Sequence, residues 1–96
     1  MADIEIRQAH ALGAEGAREA ADRMMATLAQ RFGLHGAWDG NVLRFERPGV
    51  TGHLSVNDDA VHLAVTLGFL MRAMRSSIEP QIRDEMRKIF NPETRA

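Results

Sequence analysis

Three turn signals divide residues 34–67 into four short segments, and each segment alternates apolar with polar side chains. The signals are Asp39-Gly40-Asn41, Pro48-Gly49 and Asn57-Asp58-Asp59, which are residue types that reverse a chain. Short alternating segments between such signals predict an antiparallel meander of four β-strands. No other feature of the chain constrains the fold as strongly, because a meander decides which residues share each face of the sheet.

The positions of the turns also predict the pairing register. They set three pairs of residues opposite each other: Trp38 with Leu43, Phe45 with Gly52, and Val56 with Val61. These registers place one apolar set on one face of the sheet: Leu34, Trp38, Leu43, Phe45, Leu54, Val56, Val61, Leu63, Val65 and Leu67. A slip of one residue would scatter this set over both faces, so the register is strongly specified.

The flanking segments predict one more strand and two helices. Residues 3–8 alternate as a half-buried strand, and residues 14–33 carry a helical stripe that ends at Gly33: Ala17, Ala21, Met24, Leu28 and Phe32. A second stripe starts at Ile78, and the S-x-x-E spacing of Ser76 and Glu79 predicts a capped helix start near Ser77. Met24, Met74 and Met86 fall on the inward stripes and are predicted to lie in the core.

These elements predict an α+β fold. The fold is a two-layer sandwich in which an antiparallel sheet carries two helices on one face, in the order β-α-β-β-β-β-α. Residues 68–75 form a short helical turn before the last helix. We expect residues 1–91 to make a single domain and residues 92–96 to be a frayed tail.

Composition excludes several classes of function. The formal net charge of −1 provides no general attraction to nucleic acid, and the absence of cysteine removes disulfides, thiol catalysis and thiolate metal sites. No apolar run approaches the ~20 residues that span a membrane, and no secretory signal opens the chain. These features predict a cytoplasmic protein that lacks a transmembrane segment and does not bind nucleic acid.

Three histidines, His35, His53 and His62, fall on the polar outer face of the predicted sheet. His53 and His62 lie on a diagonal between neighbouring strands, where two side chains are close enough to share a metal. A zinc site usually needs three or four ligands, however, and the neighbouring Arg44 opposes cation binding. We therefore expect no metal site, no cofactor and no catalytic residue, and the protein is predicted not to be an enzyme.

An apolar surplus precedes the last helix. Phe69, Leu70, Met71 and Met74 cover more than one face of a short helix, and Arg72 and Arg75 lie among them. Exposed apolar side chains with arginine at their rim often mark contact surfaces. These six residues therefore form a candidate surface for a partner. The alternative is that Phe69 and Leu70 close one end of the sandwich.

A second candidate surrounds Phe45, which the register places between Gly36 and Gly52 and near Trp38. The two glycines would leave space for the ring or for the close approach of a helix. They could instead open a small apolar pocket, formed by Gly36, Trp38, Phe45 and Gly52, that takes an apolar or acyl ligand.

Three blocks of the sequence carry a family resemblance: ADIEIRQAHALGAEGAREAADR, WDGNVLRFERPGVTGHLSV and LGFLMRAMRSSIEPQI. Their order and spacing resemble the small polyhydroxyalkanoic acid system proteins of proteobacteria. The resemblance implies a role in carbon-storage granules, with the granule or a granule-associated protein as partner, and it supplies no catalytic residue. The block order is also similar to a reduced helix-grip, START-like fold, in which a curved sheet wraps a C-terminal helix.

Three functions follow as expectations. The first is a non-enzymatic accessory protein that binds a granule surface or a granule protein through the apolar surplus. The second is a carrier of a small apolar or acyl ligand. The third is a self-associating domain that forms a homodimer through its first strand or through residues 69–74.

Overall fold

The chain folds into a five-stranded antiparallel sheet with helices on one face, in a computed structural model that describes residues 2–90. The elements are β1 (Ile4–Ala9), α1 (Gly13–Phe32), β2 (His35–Asp39), β3 (Val42–Arg47), β4 (Val50–Val56), β5 (Ala60–Leu67), α2 (Phe69–Arg72) and α3 (Arg75–Phe90). This is the predicted α+β architecture, with the predicted element order. The predicted tail, residues 92–96, lies outside the described residues.

The sheet has the strand order β1-β5-β4-β3-β2. All three predicted hairpin registers are confirmed: Trp38 pairs with Leu43, Phe45 with Gly52, and Val56 with Val61. The chain reverses at Gly40 and Gly49, whose φ angles of 64° and 85° favour glycine. The N-terminal strand β1 pairs with β5, so the first and last strands of the chain lie side by side.

The predicted apolar face of the sheet packs against α1 and α3 to form the core. Nine of the ten residues assigned to that face are buried, and Trp38 is half-buried. From the helices, the core receives Ala17, Ala20, Ala21, Met24, Leu28, Ile82, Met86 and Phe90. Helix α1 ends as predicted at Gly33, which has a φ of 71° and donates its N–H to the Ala29 carbonyl at 2.9 Å.

The predicted capping box at the start of the last helix is wrong. Helix α3 begins at Arg75, and its first turn forms when the N–H groups of Ser77 and Ile78 both donate to the Met74 carbonyl at 3.0 Å. Glu79 does not reach back to cap the helix, because its carboxylate accepts hydrogen bonds from Arg75 and Arg83. Two arginine partners satisfy this carboxylate more strongly than one backbone N–H would.

A buried histidine fastens the end of β1 to the turn between β4 and β5. His10 is only 6% exposed, and its Nε2 lies 2.9 Å from the Asn57 carbonyl oxygen. Its Nδ1 accepts the Leu12 N–H at 3.1 Å, so the bonding pattern assigns the donor role to Nε2. The ring also lies against Phe90, at 6.1 Å between centroids. Sequence periodicity gave no sign of this role.

We expect His10→Leu to lower the free energy of unfolding by about 1–3 kcal/mol, because it leaves the Asn57 carbonyl and the Leu12 N–H without partners. Urea denaturation measures the change. The matched control is His62→Leu on the exposed outer face, which we expect to stay within about 0.5 kcal/mol of wild type. Equal effects of the two substitutions would show that His10 does not fasten the turn.

Candidate functional site

The segment that follows β5 turns its largest apolar side chains into solvent. Phe69 is 84% exposed, Leu70 79% and Met74 53%, and within residues 2–90 these are the only large apolar side chains that are so exposed. We call the surface formed by Phe69, Leu70 and Met74 the α2 patch. All three belong to the predicted contact surface. The prediction that Met74 lies in the core is wrong, because Met74 lies in the turn between α2 and α3.

Met71 behaves differently from its neighbours. It is half-buried and packs against the core, and its Cγ lies close to Gly49 at the tip of the β3–β4 hairpin. The end of the sandwich is therefore closed by Met71. Phe69 and Leu70, which were the alternative candidates for this position, both point away from the core.

Two glycines allow the chain to turn sharply out of β5 into α2. The Gly68 N–H donates to the Gly49 carbonyl at 2.7 Å. A Cβ on Gly68 would meet the Gly49 Cα and carbonyl oxygen at 3.3 Å, which is tighter than side chains normally tolerate. Helix α2 is therefore held against the hairpin tip by a backbone contact that a larger residue at position 68 would force apart.

Asp3 ties the start of the chain to the same place. One oxygen of its carboxylate accepts the Leu67 N–H at 2.7 Å, and the other lies 3.3 Å from Arg72 Nε. Arg72 also donates from Nη2 to the Leu67 carbonyl at 3.3 Å. The Asp3 side chain is mostly buried, so its carboxylate is shielded from solvent at the point where it attaches α2 to β5. The role of Asp3 could not be predicted from spacing, because its partner Leu67 lies 64 positions further along the chain.

The two arginines of the predicted surface lie at the edge of the α2 patch, and each has an acidic partner. Arg72 pairs with Asp3, and Arg75 lies 3.5 Å from Glu79, which also accepts from Arg83 at 2.8 Å. The Arg83 hydrogen bond, helped by Arg75, holds the pKa of Glu79 below its ordinary value, so this carboxylate stays ionised. The side chains of Arg72 and Arg75 both remain more than half exposed, so their free N–H groups can reach acceptors outside the protein.

The spaces beside Gly36 and Gly52 are filled. A Cβ on Gly36 would meet the Met25 sulfur of α1 at 2.7 Å, and one on Gly52 would meet the Phe45 ring at 2.7 Å. Trp38 packs at the sheet edge, where Asp22 accepts its Nε1–H at 2.8 Å. The Arg18 guanidinium covers the Trp38 ring at 4.0 Å.

Phe45 also lines an apolar cavity between the sheet and the helices. Its volume is about 40 Å³. Neither glycine nor Trp38 contributes to its walls, which come from twelve residues: Leu28, Phe32, Leu34, Phe45, Arg47, Val50, Leu63, Val65, Leu67, Met71, Ile78 and Ile82. Phe45 is therefore the one member of the predicted pocket that lines this cavity.

The outer face of the sheet carries the predicted histidines. His53 and His62 lie on neighbouring strands in the diagonal relation expected from the register, and His35 is on the edge strand β2. In the described part of the chain, no three His, Cys, Asp or Glu side chains converge on a position that could hold a metal ion.

The chain is thus a small α+β protein that exposes three large apolar side chains in and just after a four-residue helix. The chain belongs to the family described as "putative polyhydroxyalkanoic acid system protein", whose family model matches residues 4–90. This match confirms the family resemblance. Comparisons with curated proteins and with solved structures returned no match. Among residues 2–90, no helix is long and apolar enough to cross a membrane.

The packing around Phe45 can be tested with alanine at each glycine. We expect Gly52→Ala to destabilise the protein by about 1–3 kcal/mol, because the new methyl group meets the Phe45 ring and the Ala64 carbonyl oxygen, both at 2.7 Å. Gly36→Ala is the matched comparison, since its nearest neighbour is the end of the flexible Met25 side chain. Thermal denaturation should show a smaller loss for Gly36→Ala. A fully stable Gly52→Ala protein would instead reveal unfilled space beside Phe45.

Proposed function

We propose that the protein is a non-enzymatic accessory protein of the polyhydroxyalkanoate system, which binds the surface of the storage granule through the α2 patch. The observation that carries the proposal is the exposure of Phe69 and Leu70, at 84% and 79%, in a member of this family. A small folded protein ordinarily buries such side chains. Their position outside a well-packed core supports a role in contact with another surface.

The chemistry of the α2 patch suits a polyester. A polymer of hydroxyalkanoic acids presents alkyl side groups together with ester carbonyl oxygens. Phe69 and Leu70 offer apolar area to the alkyl groups, and burial of each side chain would contribute about 1.5–3 kcal/mol. Arg72 and Arg75 at the edge of the patch have N–H groups that can donate to ester carbonyls.

Attachment of α2 to the sheet also favours surface binding. The Asp3 carboxylate and the Gly68–Gly49 contact hold the segment in place before any partner arrives. Side chains that are already positioned lose less conformational freedom on binding than those of a disordered segment. In this proposal the protein works in the cytoplasm, at the granule surface.

We predict that Phe69→Asp combined with Leu70→Asp lowers binding to bare polyhydroxyalkanoate particles by at least tenfold. The substitution removes the apolar area and places two charges where the protein meets the polymer. Co-sedimentation of the folded protein with the particles measures the loss. The matched control is Ala37→Asp combined with His62→Asp, which adds the same charge on the outer face, opposite Arg44 and Arg7. We expect the control variant to bind like wild type.

The same experiment distinguishes the bare granule surface from the other candidate partners. If wild type ignores bare particles but binds native granules that carry their proteins, the patch recognises a granule-associated protein. If wild type is a homodimer that the patch substitution converts to a monomer, while granule binding is unchanged, the patch serves self-association. Sedimentation velocity of the free proteins decides this point. Unchanged particle binding by a folded patch variant would contradict the proposal.

A further inference from the structure

We propose that the cavity beneath α2 is the closed form of a binding site for an alkanoate. The alkyl chain would enter the cavity, and the carboxylate would bind Arg47. Such a site would bind a small molecule and not a granule surface, and its residues lie outside the α2 patch. This proposal rests on the proposed function in one respect only: hydroxyalkanoates, the units of the polyester, are alkanoates.

The walls of the cavity select a hydrocarbon. Every residue that lines it is apolar except Arg47, and the deepest side chains, such as Leu63, Val65 and Leu67, are almost completely buried. A buried water needs about 10–15 Å³ together with two to four polar partners. The cavity of about 40 Å³ has the space but lacks the partners, so it favours alkyl groups over water.

Arg47 supplies the charge that a carboxylate needs. Alternation along β3 places it on the same face as Leu43 and Phe45, which is the face that packs against the helices. Nη1 donates to the Phe32 carbonyl at the end of α1 at 2.7 Å, and Nε lies 3.3 Å from the Pro48 carbonyl oxygen. These bonds occupy two of the five guanidinium donors.

No carboxylate among residues 2–90 forms an ion pair with Arg47. Arg47 differs in this respect from Arg72 and Arg75, whose charges are balanced by Asp3 and Glu79. Arg47 itself is half-buried and lines the apolar cavity, and its guanidinium has no anionic partner among residues 2–90. This combination is complementary to a molecule with one carboxylate and one alkyl chain.

Met71 determines how long a chain can enter. It closes the cavity from α2, next to the hairpin tip at Gly49. The methionine side chain is unbranched and flexible, so it can move aside without disturbing the sheet. The cavity of about 40 Å³ admits only the end of an alkyl chain as it stands, and a longer chain gains contact by displacing Met71. Affinity should therefore rise with chain length.

The test is an NMR titration of the full chain with butanoate, hexanoate and octanoate, with 1-octanol as the uncharged comparison. We expect saturable shifts in the amides of β3, β5 and α2, affinity that increases along the series, and octanoate binding at least tenfold more tightly than octanol. Arg47→Gln should remove this preference while octanol binding persists. Arg44→Gln, on the same strand but the opposite face, should keep it.

Two results would overturn the inference. One is the absence of saturable binding for all three acids in the wild-type protein. The other is equal affinity of the wild type for octanoate and octanol, which decides the matter even if Arg47→Gln folds poorly. The variant that combines Phe69→Asp with Leu70→Asp keeps the two proposals apart. It should lose granule binding and retain octanoate binding, so either proposal can fail while the other stands.

Discussion

The pairing register of β2 to β5 decides which side chains of the sheet face the helices. Hairpin turns at Gly40, Gly49 and the Asn57–Asp59 segment align the strands so that one face is almost entirely apolar. That face has to be covered, and α1 and α3 cover it with their own buried stripes. A slip of one residue would bring Arg44 and Glu46 into the core, and burial of unpaired charges would abolish the fold.

Because α2 is attached to the sheet, its exposed apolar side chains have a fixed position on the protein surface. Asp3 and Gly68 fasten the segment to the end of β5, while Met71 faces the core and Phe69 and Leu70 face solvent. A four-residue helix has only one side that can contact the sheet, so side chains on its other side must remain outside. The exposed apolar area thus follows from a short helix that is held at a defined angle. Met71 is the only α2 side chain that lines the cavity, so α2 borders this space through a single residue.

Much of the fold could be predicted from the sequence, because turn residues and alternation are local signals. The hairpin registers, the Gly33 helix end and the surplus of apolar residues after β5 all follow from spacing alone. Spacing alone could not predict whether Met71 or Met74 faces the core, since that depends on where α2 ends and α3 begins. The capping box failed for a related reason: Glu79 prefers the charges of Arg75 and Arg83 to a backbone N–H. His10 and Arg47 act through carbonyls distant in the sequence, and spacing gives no account of such contacts.

We propose above all that α2, held against the hairpin tip, meets the granule. Amide hydrogen exchange of the protein, free and bound to polyhydroxyalkanoate granules, can test this proposal. We expect binding to slow exchange in residues 69–75 and to leave the outer face of β3, β4 and β5 unchanged. Slower exchange on that outer face, with residues 69–75 unaffected, would contradict it.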